Sequence, residues 1–474
     1  MKNVFLLCFL LLFPNPSLSE NSSYSYSSYS ATSTNTNLNG NTISNTNSDE
    51  SAVYITSSGI TISSSTITKS GDSSNTENSE FYGVNAAILV NGGGLTMTGG
   101  NINTSGKGAN AIVATNSGTV TILGTTITST GSSSARGLHA TYGGTITATN
   151  VVISSTGGSC ATLATDRGEG TVSCTGCTLS TGNAGSPLIY STGTITVNRT
   201  TGTSNATQAV VIEGKNSAII KDSSSLKCTG NGNNRDDDCG ILIYQSQSGD
   251  ADTGTGSFTC ENSAIEMVSS SSVYSSAPMF YITNTAADIS LTDCAFTYGS
   301  GTFLLADEGD WGTSGSNGGT VTLTLTNQDI VGDIEVGSSS SLTITLVNSS
   351  IKGTINGDQT AAKLAITMDS ASTITLTGNS YYTSLTNADS TNSNIDAGSY
   401  SWTQYTESAT TPSSGGGSTS TPSTNSPNSN PPSTTNTTSA TDTDVFVTYA
   451  YSANNLNIYK HLAYSTLLMV LLFV

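Results

Sequence analysis

Three residues in the middle of the chain, Asp166, Arg167 and Glu213, make the strongest case for catalysis. Glycoside hydrolases place two carboxyl groups around the bond that they break, and inverting enzymes hold them about 6.5–9.5 Å apart. In the repeat described below, Glu213 follows Asp166 by two coils, which predicts a separation of about 10 Å at about 4.8 Å per coil. Solvated charges at turns are the alternative, and we favour it because no two adjacent coils offer carboxylates at the same position.

The densest acidic segment consists of Asp236, Asp237 and Asp238, with Asp250 and Asp252 downstream. Carboxylate oxygens are the ligands that Ca²⁺ prefers in proteins. The segment lacks both the ligand order of an EF-hand and the Gly-Gly-x-Gly-x-Asp nonapeptide of calcium-binding β-helices. We therefore favour an acidic loop over a metal site, and we expect no cofactor.

A single histidine, His139, lies in the body of the chain, and His461 lies near its C-terminus. A Ser-His-Asp triad would have to use His139, yet no Gly-x-Ser-x-Gly nucleophile elbow precedes a helix. We expect His139 to be an exposed residue on a strand.

Of the 8 cysteines, Cys8 falls in the leader described below. Cys228 and Cys239 flank a Gly/Asn/Asp loop, and we predict that they form a disulfide in an oxidising compartment. Cys174 and Cys260 fall in inward columns, where Cys behaves as a small hydrophobe. Cys174-x-x-Cys177 has no thioredoxin-like setting, so we do not interpret it as a redox motif.

The elements that position these residues come from a repeat. The string Gly-Thr-(Val/Ile)-(Thr/Ser) starts at Gly118, Gly144, Gly170 and Gly193, each time after a short apolar strand. Repeats with a period of twenty to thirty residues indicate a solenoid, and alternation of polar with apolar residues indicates strands with one buried face. A third strand follows in each repeat, as at residues 126–128.

Three strands per repeat predict an all-β fold, a right-handed parallel β-helix of about twelve coils over residues 52–400. Each coil needs few inward side chains because its neighbours cover its two open faces. We predict one inward column with the members Val120, Ile146, Val172, Ile195, Phe258, Ile289 and Val321.

The strings Gly-Thr-Ile-Thr-Ala-Thr-Asn-Val at 144–151 and Gly-Gly-Gly-Leu-Thr-Met-Thr at 92–98 resemble secreted adhesin-like parallel β-helix proteins. The same shape occurs in autotransporter passengers and in the pectate-lyase superfold. The resemblance covers roughly residues 52–400, and it implies an architecture rather than a substrate. A lipid-attachment signal, described below, departs from autotransporters and favours a eukaryotic surface protein.

Two outer surfaces stand out. One is a ladder of hydroxyl pairs that resembles the flat faces of ice-binding solenoids. Ala218/Ile220 and Asp288/Ser290 interrupt this ladder. Its members are Thr119/Thr121, Thr145/Thr147, Thr171/Ser173, Thr194/Thr196 and Thr320/Thr322. The other is an apolar column on the first strand, which a soluble protein would cover with a loop, such as residues 228–239 or 245–256, or use for binding. This column has the members Val113, His139, Leu163, Ile189, Val211, Leu242, Phe280 and Leu304.

The charge balance excludes one class of partner. The chain has 13 Lys and Arg against 32 Asp and Glu, for a net charge of −19. Binding to nucleic acid or to an anionic lipid surface requires a basic patch, which this composition does not supply. We therefore expect no nucleic-acid partner.

Both ends of the chain carry the features of targeting signals. Residues 1–19 combine Lys2, a short apolar run and small residues at 17 and 19, which is typical of a secretory signal peptide. Residues 20–51 form a Ser/Tyr/Asn-rich segment before the β-helix at 52–405, and residues 406–452 form a Ser/Thr/Pro-rich stalk. Residues 453–474 follow the order of a glycosylphosphatidylinositol (GPI) attachment signal, with Ser452 as the favoured attachment residue and Ala453 and Asn454 as close rivals.

Asn-x-Ser/Thr triplets agree with an extracellular address, although they also arise by chance in a Ser/Thr-rich chain. The six predicted glycosylation sites are Asn21, Asn103, Asn198, Asn205, Asn348 and Asn436. Together these features predict a non-enzymatic, GPI-anchored adhesin-like protein on the outer face of the plasma membrane, with an extracellular protein or glycan as its ligand. A polysaccharide lyase or glycoside hydrolase is the first alternative, and an ice-binding or structural coat protein is the second.

Overall fold

The strands stack in parallel, one coil above the next. The computed structural model describes residues 24–232 and 237–406, all of which belong to one compact unit. Most strands of the second and third sheets alternate inward apolar and outward polar residues, so their inward side chains pack together while their backbone pairs with the coils above and below. The result is the right-handed parallel β-helix that the repeat predicts.

Three long sheets form the sides of the coils. The first sheet contains β1 (Ala31–Thr34), β4 (Ser51–Ile55), β7 (Ile88–Asn91), β10 (Ile112–Thr115), β13 (Leu138–Ala140), β16 (Leu163–Thr165), β19 (Ile189–Ser191), β22 (Val210–Glu213), β25 (Ile241–Tyr244), β28 (Phe280–Thr283), β31 (Thr302–Ala306) and β34 (Asp333–Val336). The second sheet contains β2 (Leu38–Asn39), β5 (Ile60–Ser63), β8 (Gly94–Thr98), β11 (Thr119–Leu123), β14 (Gly144–Thr149), β17 (Gly170–Thr175), β20 (Thr194–Asn198), β23 (Ser217–Lys221), β26 (Thr255–Glu261), β29 (Thr285–Thr292), β32 (Gly319–Thr326), β35 (Ser341–Val347), β37 (Lys363–Met368) and β40 (Ser384–Asn387). The third sheet contains β3 (Thr42–Asn45), β6 (Thr66–Lys69), β9 (Asn101–Thr104), β12 (Thr126–Ser129), β15 (Val152–Ser155), β18 (Thr178–Thr181), β21 (Thr201–Ser204), β24 (Ser225–Cys228), β27 (Ala264–Met267) and β30 (Ala295–Thr297).

Two smaller sheets complete the C-terminal coils. One contains β33 (Asp329–Val331), β36 (Ser350–Gly353), β38 (Thr373–Leu376) and β41 (Ile395–Asp396). The other pairs β39 (Ser380–Tyr382) with β42 (Trp402–Gln404).

The coils number fourteen when they are counted along the second sheet, and we number them in that order. The first coil starts at Ala31, so the β-helix begins inside the segment 20–51 that the sequence sets apart, and it includes one coil before residue 52. The Ser/Asn-rich composition of this coil hides its strands, because only Leu38 is a fully buried apolar residue there.

The predicted inward column is correct for its first six members and then shifts. Val120 pairs with Ile146, and the series continues through Val172 and Ile195 to Phe258 and Ile289. The next strand is longer than the repeat predicts, so Leu323 rather than Val321 lies beside Ile289. Val321 is also inward and buried, two positions along the same strand.

The part of the chain that the structure describes contains one short helix, α1 (Thr76–Tyr82), although the repeat predicts no helix. The side chain of Asn75 accepts a hydrogen bond from the Glu77 N–H at 2.9 Å, which caps the first turn. Gly83 ends the helix in the left-handed conformation with φ +72°, where its missing side chain avoids contact with Val113 and Leu89 of the first sheet.

The residues predicted to form one apolar column on the first strand of each coil belong to two columns in the structure. Val113, His139, Val211 and Leu242 face outward, whereas Leu163, Ile189, Phe280 and Leu304 pair within the inward column. The outward members are buried because chain segments cover them. Tyr26, Tyr29 and the residues around α1 cover the early coils, and Cys239 and Trp311 cover the later ones.

No described segment covers the outer face of the second sheet, and we call this surface the hydroxyl face. Thr119, Thr145, Thr171 and Thr194 lie side by side on it, as the sequence predicts. The next outward residues are Ser217 and Ile219, because Ala218 and Ile220 point into the core, contrary to the predicted ladder. Thr322, not Thr320, continues the first row after Asp288.

The cysteines pair differently from the prediction. Cys174 bonds to Cys177 and Cys260 bonds to Cys294, while Cys160, Cys228 and Cys239 are free thiols. The predicted Cys228–Cys239 disulfide is therefore wrong: Cys228 packs in the core, whereas Cys239 belongs to the cover on the opposite side of the first sheet.

The described residues include no helix long and apolar enough to cross a membrane.

Candidate functional site

A pocket of about 270 Å³ opens where strands of the first sheet end, and we call it the side pocket. Its lining consists of residues 167–169, Thr192 and residues 249–252. These stretches belong to the sixth, seventh and ninth coils, because the loop between β25 and β26 reaches back along the solenoid. Gly168, with φ +72°, lets the turn pass close to Tyr142, since a Cβ there would lie 2.4 Å from the Tyr142 ring.

Arg167 forms one wall of the side pocket. Its Nε donates to Asp250 Oδ1 at 3.1 Å, and its guanidinium carbon lies 3.9 Å from the centre of the Phe81 ring in α1. Partial burial would lower the pKa of Arg167, but the Asp250 carboxylate raises it overall. Arg167 therefore joins the cover at α1 to the loop of the ninth coil.

Lys215 pairs with the other two carboxylates of the side pocket. Its Nζ lies 2.8 Å from Glu169 Oε1 and 3.0 Å from Asp252 Oδ2. Hydrogen bonds to Glu169 and then to Asp252 raise the pKa of Lys215. Every carboxylate that lines the pocket is thus paired with a cation.

Thr192 offers a polar group that the protein itself does not use. The residue is 1% exposed and lines the side pocket, and its Oγ1 has no hydrogen-bond partner among the residues that the structure describes. Its backbone N–H donates to Thr165 Oγ1 at 2.8 Å, which fixes its position. A buried hydroxyl without a partner costs about 1–3 kcal/mol, so a ligand that supplies the partner recovers this energy.

A buried ionic cluster lies directly behind the side pocket. Arg136 NH1 donates to Asp166 Oδ2 at 2.6 Å, and its NH2 lies 3.5 Å from Glu80 Oε1 in α1. Burial would lower the pKa of Arg136, but the two carboxylates raise it. Burial raises the pKa of Asp166 to about 7, against the opposing effect of Arg136. Asp166 Oδ1 also accepts the Arg167 N–H at 2.9 Å, which connects the cluster to the pocket wall.

His139 belongs to this cluster, so the expectation of an exposed histidine is wrong. It is 0% exposed, and its Nε2 lies 2.6 Å from the Glu80 carbonyl oxygen, to which it donates as the neutral ring. Burial and the neighbouring Arg136 hold the pKa of His139 well below its ordinary value. Its alternation on β13 predicts an outward position correctly, but α1 covers that position.

Glu213 lies in a separate buried group, two coils from Asp166. It accepts hydrogen bonds from the Tyr190 hydroxyl at 2.7 Å, from the Tyr244 hydroxyl at 3.0 Å and from Ser246. Burial raises the pKa of Glu213. Two routes connect Asp166 with Glu213. Arg136 pairs with Asp166 and its guanidinium carbon lies 5.6 Å from the Tyr190 ring centre, and Arg167 leads through Asp250 and Ser248 to Ser246. Neither carboxylate lines the side pocket.

The predicted acidic segment separates into two parts. Asp250 and Asp252 join the side pocket, whereas Asp238 accepts the Gly232 N–H at 2.6 Å in a different loop and the Asp237 carbonyl accepts from Gln208. Asp236 lies outside the described residues. Within residues 24–232 and 237–406, no group of three or more His, Cys, Asp or Glu side chains is arranged to hold a metal ion.

The predicted modification sites are only partly described. Asn103 is exposed on the third sheet, whereas the side chains of Asn198, Asn205 and Asn348 donate hydrogen bonds to Asp222, the Thr181 carbonyl and Asn327. Asn21, Asn436 and Ser452 lie outside the described residues, as do the predicted signal peptide and GPI signal.

Sequence reasoning missed four residues of this region: Glu80, Arg136, Thr192 and Lys215. Two of them had a detectable signal. Asn75 is typical of a helix N-cap and Gly83 of the residue that follows a helix. Together they predict a short helix that contains Glu80. Arg136 is one of the few cations in the chain and comes just before an apolar strand. An arginine buried at that position needs a charged partner.

In comparisons with known proteins, no family model, no curated protein and no solved structure matches the chain.

Proposed function

We propose that the protein is a non-enzymatic, adhesin-like β-helix protein that binds an extracellular glycan or protein. The observation that carries the proposal is the side pocket, which three different coils build on a solenoid of otherwise repeated polar strands. A rigid stack of fourteen coils suits the display of such a pocket, since neighbouring coils fix each part of its lining.

The state of the acidic residues supports binding rather than catalysis. A glycosidase needs two carboxyl groups that face the same substrate, one of them protonated. The carboxylates that line the side pocket are Glu169, Asp250 and Asp252, and each is within 3.1 Å of a cation. Asp166, whose pKa is raised, lies behind the pocket and forms an ion pair with Arg136.

The location of the protein outside the cell is part of the same proposal. We infer a secretory signal at 1–19, a stalk at 406–452 and a GPI-attachment signal at 453–474, which together place the β-helix outside the cell and hold it away from the membrane. A GPI anchor also explains how a protein without a basic surface stays at a membrane.

Binding of the purified full-length protein to a panel of immobilised glycans and intact cells tests the proposed function. We expect saturable binding that is lost with Arg167→Gln and retained with Lys227→Gln, because Lys227 forms a comparable exposed ion pair with Glu266 away from the pocket. The absence of binding to every glycan and cell type would contradict the proposal.

Turnover separates this proposal from the enzymatic alternative. We expect no product when the protein is incubated with pectin and glucan substrates. Turnover that Asp166→Ala abolishes, in a variant that still folds, would identify a lyase or hydrolase and overturn the adhesin proposal.

The anchor has its own test. Phosphatidylinositol-specific phospholipase C should release the protein from cells, and Ser452→Leu should shift attachment to a neighbouring residue or reduce it. Retention after treatment, with inositol acylation excluded by chemical deacylation, would contradict GPI anchoring.

A further inference from the structure

We propose that the side pocket binds one ring of a neutral sugar, through a pair of adjacent hydroxyl groups. The inference rests on the proposed binding function and specifies its ligand. It follows from three properties of the pocket: its size, its charge and the unpaired hydroxyl of Thr192.

The size of the side pocket suits a single sugar ring. Pockets for drug-sized ligands have volumes of about 300–1,000 Å³, and the side pocket, at about 270 Å³, falls just below that range. A longer glycan would place one ring in the pocket and continue over the surface of neighbouring coils.

The charge of the side pocket selects against acidic ligands. Arg167 and Lys215 supply two positive charges, whereas Glu169, Asp250 and Asp252 supply three negative charges. The excess of carboxylates agrees with the net charge of −19 for the chain, so a uronate or sialate would be repelled. A neutral ligand leaves the existing ion pairs in place.

Sugar hydroxyls match the groups that the pocket presents. A hydroxyl both donates and accepts, so two adjacent hydroxyls can accept from the Arg167 guanidinium and donate to Asp250 at the same time. Thr192 also lines the pocket, and its hydroxyl, buried and without a partner among the described residues, would be the third contact once a ligand hydroxyl reaches it. These groups are held in place, because Arg167 packs on Phe81 and the Thr192 N–H is bonded to Thr165.

Thr192→Val gives a sharp test, because valine keeps the shape of threonine and removes only the hydroxyl. The purified full-length protein is titrated with glucose, galactose, mannose, N-acetylglucosamine and galacturonate. We expect saturable binding of at least one neutral sugar, weaker or no binding of galacturonate, and a loss of at least tenfold in affinity for Thr192→Val. The melting temperature of this variant should be unchanged or higher, since the lost hydroxyl has no partner among residues 24–232 and 237–406.

Thr171→Val is the matched control. Thr171 lies on β17 in the sixth coil and faces outward on the hydroxyl face, so this variant should bind as the wild type does. Preferred binding of galacturonate, or equal affinity of Thr192→Val and wild type, would overturn the inference. If no sugar in the panel binds while the full-length protein still adheres to cells or to other glycans, the sugar inference fails and the proposed function stands. If adhesion is also absent, both fail.

Discussion

The outer faces of the first and second sheets differ in whether their side chains are covered or exposed to solvent. On the first sheet, outward residues such as Leu89, Val113 and Leu242 are apolar and buried beneath α1, loops and aromatic side chains. On the second sheet, outward threonines and serines face solvent and need no cover. The repeat therefore forms a scaffold, and the buried charges and the side pocket occur where the non-repeating segments pack on it.

The consequence is an uneven distribution of buried charge. Glu80, Arg136, His139 and Asp166 all lie between the cover and the first sheet, and the side pocket opens beside them. On the hydroxyl face, charged residues such as Asp288 are exposed. Perturbed pKa values and a pocket on one face therefore point to the covered side as the functional side.

The largest expected effect comes from removing the cation of the buried cluster. Arg136→Met leaves the Asp166 and Glu80 carboxylates without their shared partner, and we expect a loss of about 3–5 kcal/mol in the free energy of unfolding. Lys227→Met, which breaks an exposed pair with Glu266, should cost less than about 1 kcal/mol. Denaturant titration of both variants measures the difference. Equal effects would remove the distinction between the covered and uncovered sides.

The pH dependence of stability should differ between the two faces. The pKa of Asp166 is raised to about 7 in the folded protein, so its contribution to stability is fully present below its unfolded pKa near 4 and is lost as pH rises through 7. His139 acts in the opposite direction: its lowered pKa gives stability above about pH 6.5 that is lost as pH falls.

Melting temperatures between pH 4 and pH 8 separate these contributions. The advantage of the wild type over Asp166→Asn should shrink as pH rises from 4 to 7. Asp288→Asn, which removes an exposed carboxylate of the hydroxyl face, is the control variant. A constant difference between wild type and Asp166→Asn would mean that Asp166 does not change its proton affinity on folding.

A smaller effect is expected at the start of α1. Asn75→Ala removes the cap of the first turn and should cost about 1 kcal/mol. Asn75→Asp keeps a capping oxygen and should restore most of this stability. Hydrogen exchange should report faster exchange in β13, which α1 covers, and no change in β14 of the same coil. Equal acceleration in both strands would show that α1 stabilises the whole coil rather than the cover.

The sequence predicts the repeating part of the molecule well and the cover poorly. Alternation along Thr119–Ile122 or Thr145–Ala148 depends on neighbours within one coil and the next, so strand, face and register follow from local pattern. The assignment fails where strands lengthen, as at Val321, and where three apolar residues in a row leave the inward face ambiguous, as in β10 and β28.

The candidate site depends on contacts that no local pattern encodes. Arg167 meets Asp250 across 83 residues, and His139 meets Glu80 across 59. The sequence does single out Asp166, Arg167, Asp250 and Asp252, because charges are rare in this chain, but it assigns them to two unrelated sites. Thr192 carries no signal at all among so many threonines, since only its burial without a partner distinguishes it.

We infer that ligand contact occurs on the covered side rather than on the hydroxyl face. The most direct measurement compares glycan binding by three full-length proteins: wild type, Thr192→Val, and a variant in which Thr147 and Thr196 of the hydroxyl face are both replaced by Tyr. We predict that only Thr192→Val loses affinity, by at least tenfold. Loss of binding in the Thr147→Tyr/Thr196→Tyr variant, with Thr192→Val unaffected, would place the ligand on the hydroxyl face and contradict this account.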